Sequence, residues 1–160
     1  MNILIVYATR HGCAEKCVEK LSYRLTPHPV TTANLKHNQI PSLDAYPGVI
    51  IGGSIHAGKV QKSVKAFCQK HAQVLRSKRL GLFLCCMEEG AKAQEQFSEA
   101  FPSQLRDHAA AGGLLGGEFD FDRMNFLERS IVKKVAGVES SVSRIEEEAI
   151  DRFARDFLDK

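Results

Sequence analysis

Tryptophan is absent from these 160 residues, tyrosine occurs three times and proline five times. No ring-stacking role can therefore fall to an indole, and with only 12 glycines beside those prolines a collagen-like or low-complexity chain is excluded. No apolar run approaches the ~20 residues that a membrane-spanning helix requires. Neither sign of charge dominates, because 22 Lys plus Arg against 19 Asp plus Glu leaves +3 with neutral histidines. That is too small an excess for a polyanion-binding surface, so no nucleic-acid partner is expected. The five cysteines, Cys13, Cys17, Cys68, Cys85 and Cys86, are odd in number and sit inside apolar-periodic segments. This argues against a disulfide framework and for a reducing compartment. Asn2 to Tyr7 lacks the basic region and cleavage site of a secretory leader, so a cytoplasmic protein is expected.

What is present reads as an ordinary globular composition, 44% apolar and 26% charged, and the length suits one domain over residues 1–160. Ile3 to Tyr7 is a continuous apolar run rich in β-branched residues, the pattern of a strand buried on both faces. Cys13, Cys17, Leu21 and Leu25 then recur every four positions and predict a helix ending before Pro27. Further strands are expected at Val30 to Leu35, Gly48 to Gly53, Leu80 to Cys86 and within Gly112 to Phe119. Helices are expected from Val60 to Leu75 and through Ala91, Phe97 and Phe101, the latter interrupted at Pro102 and resumed to Ala111. Met124, Leu127, Ile131 and Val135 describe an amphipathic helix stopped at Gly137. Ser143-Arg144-Ile145-Glu146 has the form of a capping box for a last helix carrying Ile150, Phe153 and Phe157.

Strands alternating with helices predict a three-layer α/β fold, a five-stranded parallel sheet with helices on both faces. In such sheets ligands bind beyond the carboxyl ends of the strands, near the switch in strand order. Attention therefore falls on residues 8–14, 54–59 and 85–90. The first of these runs from a buried strand into a helix, where backbone amides and the positive end of the helix dipole converge, so that a phosphate fits.

Tyr7-Ala8-Thr9-Arg10-His11-Gly12-Cys13-Ala14 resembles the phosphate loop of flavodoxins. Its Thr9-Arg10-His11-Gly12 form is most similar to flavodoxin-like, menaquinone-dependent protoporphyrinogen oxidases. Ile51-Gly52-Gly53-Ser54-Ile55-His56-Ala57-Gly58 is similar to the second flavin loop of that family. Phe67 with Lys70-His71-Ala72, Gly116-Gly117, and the helix from Met124 to Gly137 extend the likeness. The resemblance implies a flavodoxin-like fold and FMN as cofactor. Carried over by position, Thr9, Arg10, His11, Gly12, Cys13 and Ala14 would hold the phosphate. Ser54, Ile55, His56, Ala57 and Gly58 would flank one side of the ring, and Cys85, Cys86, Met87 and Glu88 the other. His11, Cys13 and Ala14 stand where many flavodoxins carry hydroxyl or amide side chains, and the third loop lacks an aromatic ring-stacking residue.

Other readings compete for the same residues. Gly53-Ser54-Ile55-His56-Ala57-Gly58-Lys59 fits the G-x-x-x-x-G-K phosphate loop, but Val60 replaces the hydroxyl residue that would bind Mg²⁺. The cysteines show no zinc-like spacing, so no metal is expected. Cys17, Cys68 and at least one of Cys85 and Cys86 read as buried small hydrophobes, while Cys13, at a helix start, is either a packing residue or a reactive thiol. His56 is either a proton shuttle beside the ring, and so the catalytic candidate, or a solvated loop residue. The Met124 to Val135 helix, with Arg129, Lys133 and Lys134, reads first as a core-packing helix and second as a peripheral membrane or quinone-docking element on the inner face of the membrane. The functions in view are an FMN-dependent dehydrogenase passing electrons from a porphyrinogen to a quinone, an electron carrier with a redox partner protein, or a domain of weakened FMN affinity serving as an interaction or sensory module.

Overall fold

The computed structural model describes residues 1–37 and 39–159. In chain order its strands are β1 (Ile3–Tyr7), β2 (Val30–Asn34), β3 (Gly48–His56), β4 (Lys59–Val60), β5 (Arg79–Cys85), β6 (Ala111–Leu114), β7 (Glu118–Phe119) and β8 (Val142–Ser143). The helices are α1 (Cys13–Arg24), α2 (Lys62–Leu75), α3 (Gly90–Ala100), α4 (Ser103–His108), α5 (Phe126–Ala136) and α6 (Glu147–Leu158). Strands β2-β1-β3-β5-β6 form a parallel sheet in that order, and β4 adds antiparallel to the end of β3.

Every residue of β1 is buried, which is why its pattern is continuous and not alternating. Its side chains still divide by parity between two cores. Ile3, Ile5 and Tyr7 pack with Leu21, Ile50, Phe83, Phe153 and Phe157 beneath α1 and α6. Leu4 and Val6 pack with Val49, Ile51, Val64, Phe67 and Phe101 on the opposite face. Each fully buried aliphatic or aromatic side chain contributes roughly 1.5–3 kcal/mol. On the surface, Arg24 of α1 grips Glu147 (2.6 Å) and Asp151 (2.5 Å) of α6 and fixes the two helices side by side.

Four expectations are corrected. Strand β3 continues through Ser54 and Ile55 to His56, because Ala57 and Gly58 both take positive φ (50° and 77°) and close a tight hairpin onto Lys59-Val60. Val60 is consequently a strand residue, and α2 starts at Lys62. The segment after Gly112 divides: β6 ends at Leu114, while Glu118-Phe119 pairs with Val142-Ser143 in a separate ribbon. Ser143 thus belongs to that ribbon and caps nothing, whereas the capping box of the molecule is Asn125 with Glu128 at the start of α5. The fourth correction concerns α5 itself, which buries no residue: Phe126 is 85%, Leu127 67%, Ile131 52% and Val135 81% exposed. Its polar side faces inward, with Arg129 donating to the Phe121 carbonyl (2.6 Å) and the Lys133 ammonium over the Phe121 ring. Core packing is therefore not the use of its apolar stripe.

Candidate functional site

The chain reverses its strand order between β1 and β3, so the carboxyl ends of these two strands bound the crevice where a ligand fits. Register brings Tyr7 level with Gly52, and Ser54 level with Cys85, which places all three sequence-chosen loops at one end of the sheet.

The first loop is built by its own backbone. Thr9 Oγ1 accepts from Gly12 N–H at 3.0 Å, so the hydroxyl shapes the turn. Gly12 adopts φ 92°, a conformation glycine takes without a side-chain penalty, and stands at the N-cap of α1 with no side-chain cap. The first amides of α1 therefore have neither intrahelical nor capping acceptors, the arrangement that receives an anion. A Cβ on Gly12 would overlap the Arg123 guanidinium, which lies directly over this glycine. Arg123 is held near Asp120 (3.6 Å) and Glu15 (3.8 Å). Cys13 and Ala14 turn their side chains into the core, leaving only their backbone to the loop.

Arg10 and His11 turn toward α5. Arg10 Nε donates to Glu128 Oε2 at 3.0 Å. His11 Nδ1 lies 3.1 Å from the Arg123 carbonyl, and its Nε2 stands 2.9 Å from the same Glu128 oxygen without the alignment of a hydrogen bond. Because a carbonyl cannot donate, this contact uses the His11 tautomer with its hydrogen on Nδ1. Desolvation works against the Glu128 charge, but the bond from Arg10, the Asn125 amide region and the His11 charge together hold its carboxyl below the ordinary range. Glu128 and Arg123 were invisible as site residues in the sequence; the Asn125-x-x-Glu128 spacing was their one local signal, and it specifies only a helix start.

The second loop meets the first through His56, whose ring centroid is 5.9 Å from that of His11, edge to face. Burial, then the charges of Arg10 and His11, lower the His56 pKa, so the imidazole is neutral at neutral pH. Ser54 is buried and committed internally: Gln61 Nε2 donates to its hydroxyl at 2.8 Å, and its N–H donates to Gln61 Oε1 at 3.1 Å. Ile55 is half-buried, whereas Ala57 and Gly58 form the exposed hairpin tip. That hairpin replaces the phosphate-cradling curve that the G-x-x-x-x-G-K spacing would need.

In the third loop, Cys85 is buried at the end of β5, Cys86 Sγ reaches the Glu88 carbonyl (3.6 Å), Met87 is half-buried and Glu88 exposed. Burial pushes the Cys86 thiol up to about 11. Gly117 packs so closely on the Cys86–Met87 backbone that a Cβ would not fit. The segment from Leu115 to Glu146 thus rests on the third loop at Gly117, is pinned to α1 by Lys16 and Glu118 (2.5 Å), and covers the first loop with Arg123 and Glu128. With the first loop covered, a cleft of about 420 Å³ opens beside the third, among Met87, Glu88, Gly113, Arg144 and Phe153. The loop chemistry, not the size of that cleft, marks the site.

Strand order, an uncapped α1 and three convergent loops define a doubly wound α/β protein with its loops gathered at the switch point. The chain belongs to the flavodoxin-domain family, whose model matches residues 4–144; flavodoxins are the type example of this strand order. Among solved structures it is similar to oxidised flavodoxin 1 from Bacillus cereus, at 17% identity and TM-score 0.61, covering 99% of this chain and 97% of that one. A short-chain flavodoxin associated with a non-canonical PDU bacterial microcompartment is 14% identical, with TM-score 0.59 and the same coverages. The flavodiiron protein from Giardia intestinalis is 10% identical, with TM-score 0.57 over 98% of this chain and 36% of that one. At these identities the likeness is one of fold. Sequence comparison with curated proteins finds no match.

Proposed function

We propose that this chain is an FMN-binding redox protein. The observation that carries the reading is the uncapped start of α1 behind a side-chain-free Gly12, facing the Arg123 guanidinium at the switch point. The residues fit the group. The backbone amides of Cys13 and Ala14 would take the phosphate, Arg123 would neutralise it, and Thr9 would keep the turn in shape through its bond to Gly12. His56 and the Ala57-Gly58 tip on one side, with Cys86, Met87 and Glu88 on the other, would flank the ring. When bound, FMN supplies one- and two-electron redox chemistry.

Within this class we favour an oxidase-type enzyme taking electrons from a porphyrinogen and passing them to a quinone, over a soluble carrier. The outward apolar face of α5 supports it, since Phe126, Leu127, Ile131 and Val135 form a contiguous stripe with no use inside the fold. A lipid-embedded quinone and its membrane surface are partners of matching chemistry, with Lys134 available to anionic headgroups. Neutral His56, beside the proposed ring, would accept a proton from substrate. The experiment is titration of the purified protein with FMN, followed by anaerobic assay with protoporphyrinogen and a menaquinone analogue. Stoichiometric flavin uptake and turnover are expected. Uptake without turnover retires the oxidase reading in favour of a carrier, and no uptake retires both in favour of an interaction module.

A further inference from the structure

Cys13 opens α1, Cys17 follows one turn later, and Cys85 ends β5. Their spacing in sequence carries no metal signature, yet the crossover of the chain brings the three sulfurs within 4.8 Å of one another, with Cys85 and Cys17 at 3.5 Å. All three are buried in the core beneath α1 and α6, Cys17 and Cys85 almost completely, and Cys13, 7% exposed, is the most accessible. The other two cysteines lie apart: Cys68 is in the opposite core and Cys86 bonds the Glu88 carbonyl.

We infer that Cys13, Cys17 and Cys85 form a three-thiol capture site for a trivalent metalloid, presented as arsenous acid. Three sulfur donors about 2.3 Å from a shared centre stand about 3.5 Å apart when pyramidal and about 4.0 Å apart when trigonal planar. The Cys17–Cys85 separation already matches the pyramidal value, and the other two, at most 4.8 Å, lie within about 1.3 Å of it. Charge selects the occupant. Three thiolates around a monovalent or divalent soft ion leave net negative charge in an apolar core, which is costly. A trivalent centre leaves none. The acid enters neutral, and its reaction is a ligand exchange: three arsenic–sulfur bonds form, three arsenic–oxygen and three sulfur–hydrogen bonds break, and each hydroxyl departs with a thiol proton as water. No oxidant or reductant takes part. Capture would tie the start of α1 to the end of β5.

The test is native mass spectrometry of the full chain with one equivalent of arsenite, with cadmium as a second probe. A three-coordinate adduct adds one arsenic and loses three hydrogens, whereas a two-coordinate adduct keeps a hydroxyl, so the mass reads the ligand count. Wild type, Cys68→Ala and Cys86→Ala should show the three-coordinate adduct. Cys13→Ala, Cys17→Ala and Cys85→Ala should fall to the two-coordinate form or none, with affinity roughly a hundredfold lower as the third intramolecular bond is lost. Cys17→Val and Cys85→Val serve if the smaller residues prevent folding. No adduct on folded wild type, or an adduct that survives all three substitutions, overturns the site. Cadmium bound more tightly than arsenite overturns the charge argument that selects the occupant.

Discussion

Replacing Arg123 by alanine separates two roles for the guanidinium over Gly12. As it stands, this side chain faces the positive end of α1 and is kept there by Asp120 at 3.6 Å and Glu15 at 3.8 Å. Without an anion, one positive group opposes another. A phosphate entering between them would bond both and turn the opposition into a clamp. A hydrogen bond to a charged group is worth about 1.5–3 kcal/mol net. Because the Arg123 side chain is 49% exposed, the lower end applies, about 1.5 kcal/mol or roughly tenfold in affinity.

The assay is quenching of flavin fluorescence, run for FMN and for riboflavin, which lacks the phosphate. Arg123→Ala should weaken FMN about tenfold and leave riboflavin unchanged, Arg123→Lys should lie between, and the salt dependence of FMN binding should shrink in the alanine variant. Unchanged or tighter FMN binding in Arg123→Ala would refute the reasoning, because the guanidinium would then be a plug occupying the phosphate position.

Two further predictions concern protons. Burial pushes the Cys68 thiol up to about 12 from an ordinary 9.0. The folded state therefore keeps a proton that the unfolded chain releases above pH ~9, and stability present below that pH is lost as pH rises toward the folded value. By pH 11 the loss from this residue is about 2.5 kcal/mol, so Cys68→Val should flatten the fall in unfolding free energy, read by urea titration between pH 8 and 11, by that much; parallel falls in both proteins would count against it. For Glu128 the sign reverses: its folded pKa is depressed, so its hold on Arg10 and His11 is complete above the ordinary carboxylate range and lost as pH falls through the folded value. Acidification of wild type, or Glu128→Gln at neutral pH, should speed proteolysis within residues 120–137 while changing global stability by no more than about 0.5 kcal/mol. Equal protection in the variant would show that other contacts hold α5.

Strands β1, β3 and β5 were legible because each is buried on both faces and carries an unbroken apolar run, which periodicity reports directly. The hairpin at Ala57-Gly58 was not, since Ala57 takes a left-handed conformation that alanine rarely adopts and no turn dipeptide announces it. Ser143-x-x-Glu146 and Asn125-x-x-Glu128 are equivalent as capping patterns; pairing of Ser143 with Glu118 decided between them, and strand pairing across 25 residues has no local mark. Likewise the spacing of Leu127, Ile131 and Val135 fixes that one side of α5 is apolar. It does not fix whether that side turns inward.

The same limit explains the site. The first loop was readable because its function lies in backbone and glycine geometry that a short motif encodes. Its electrostatics were not, for the side chains completing them arrive from over a hundred residues away: Arg123 on Gly12, Glu128 on Arg10 and His11, Glu118 on Lys16. The bases of the first loop are matched by an acid from the covering segment, Glu128 against Arg10 and His11. That spends Arg10 and His11 on holding α5, and would leave a phosphate to the α1 amides and Arg123.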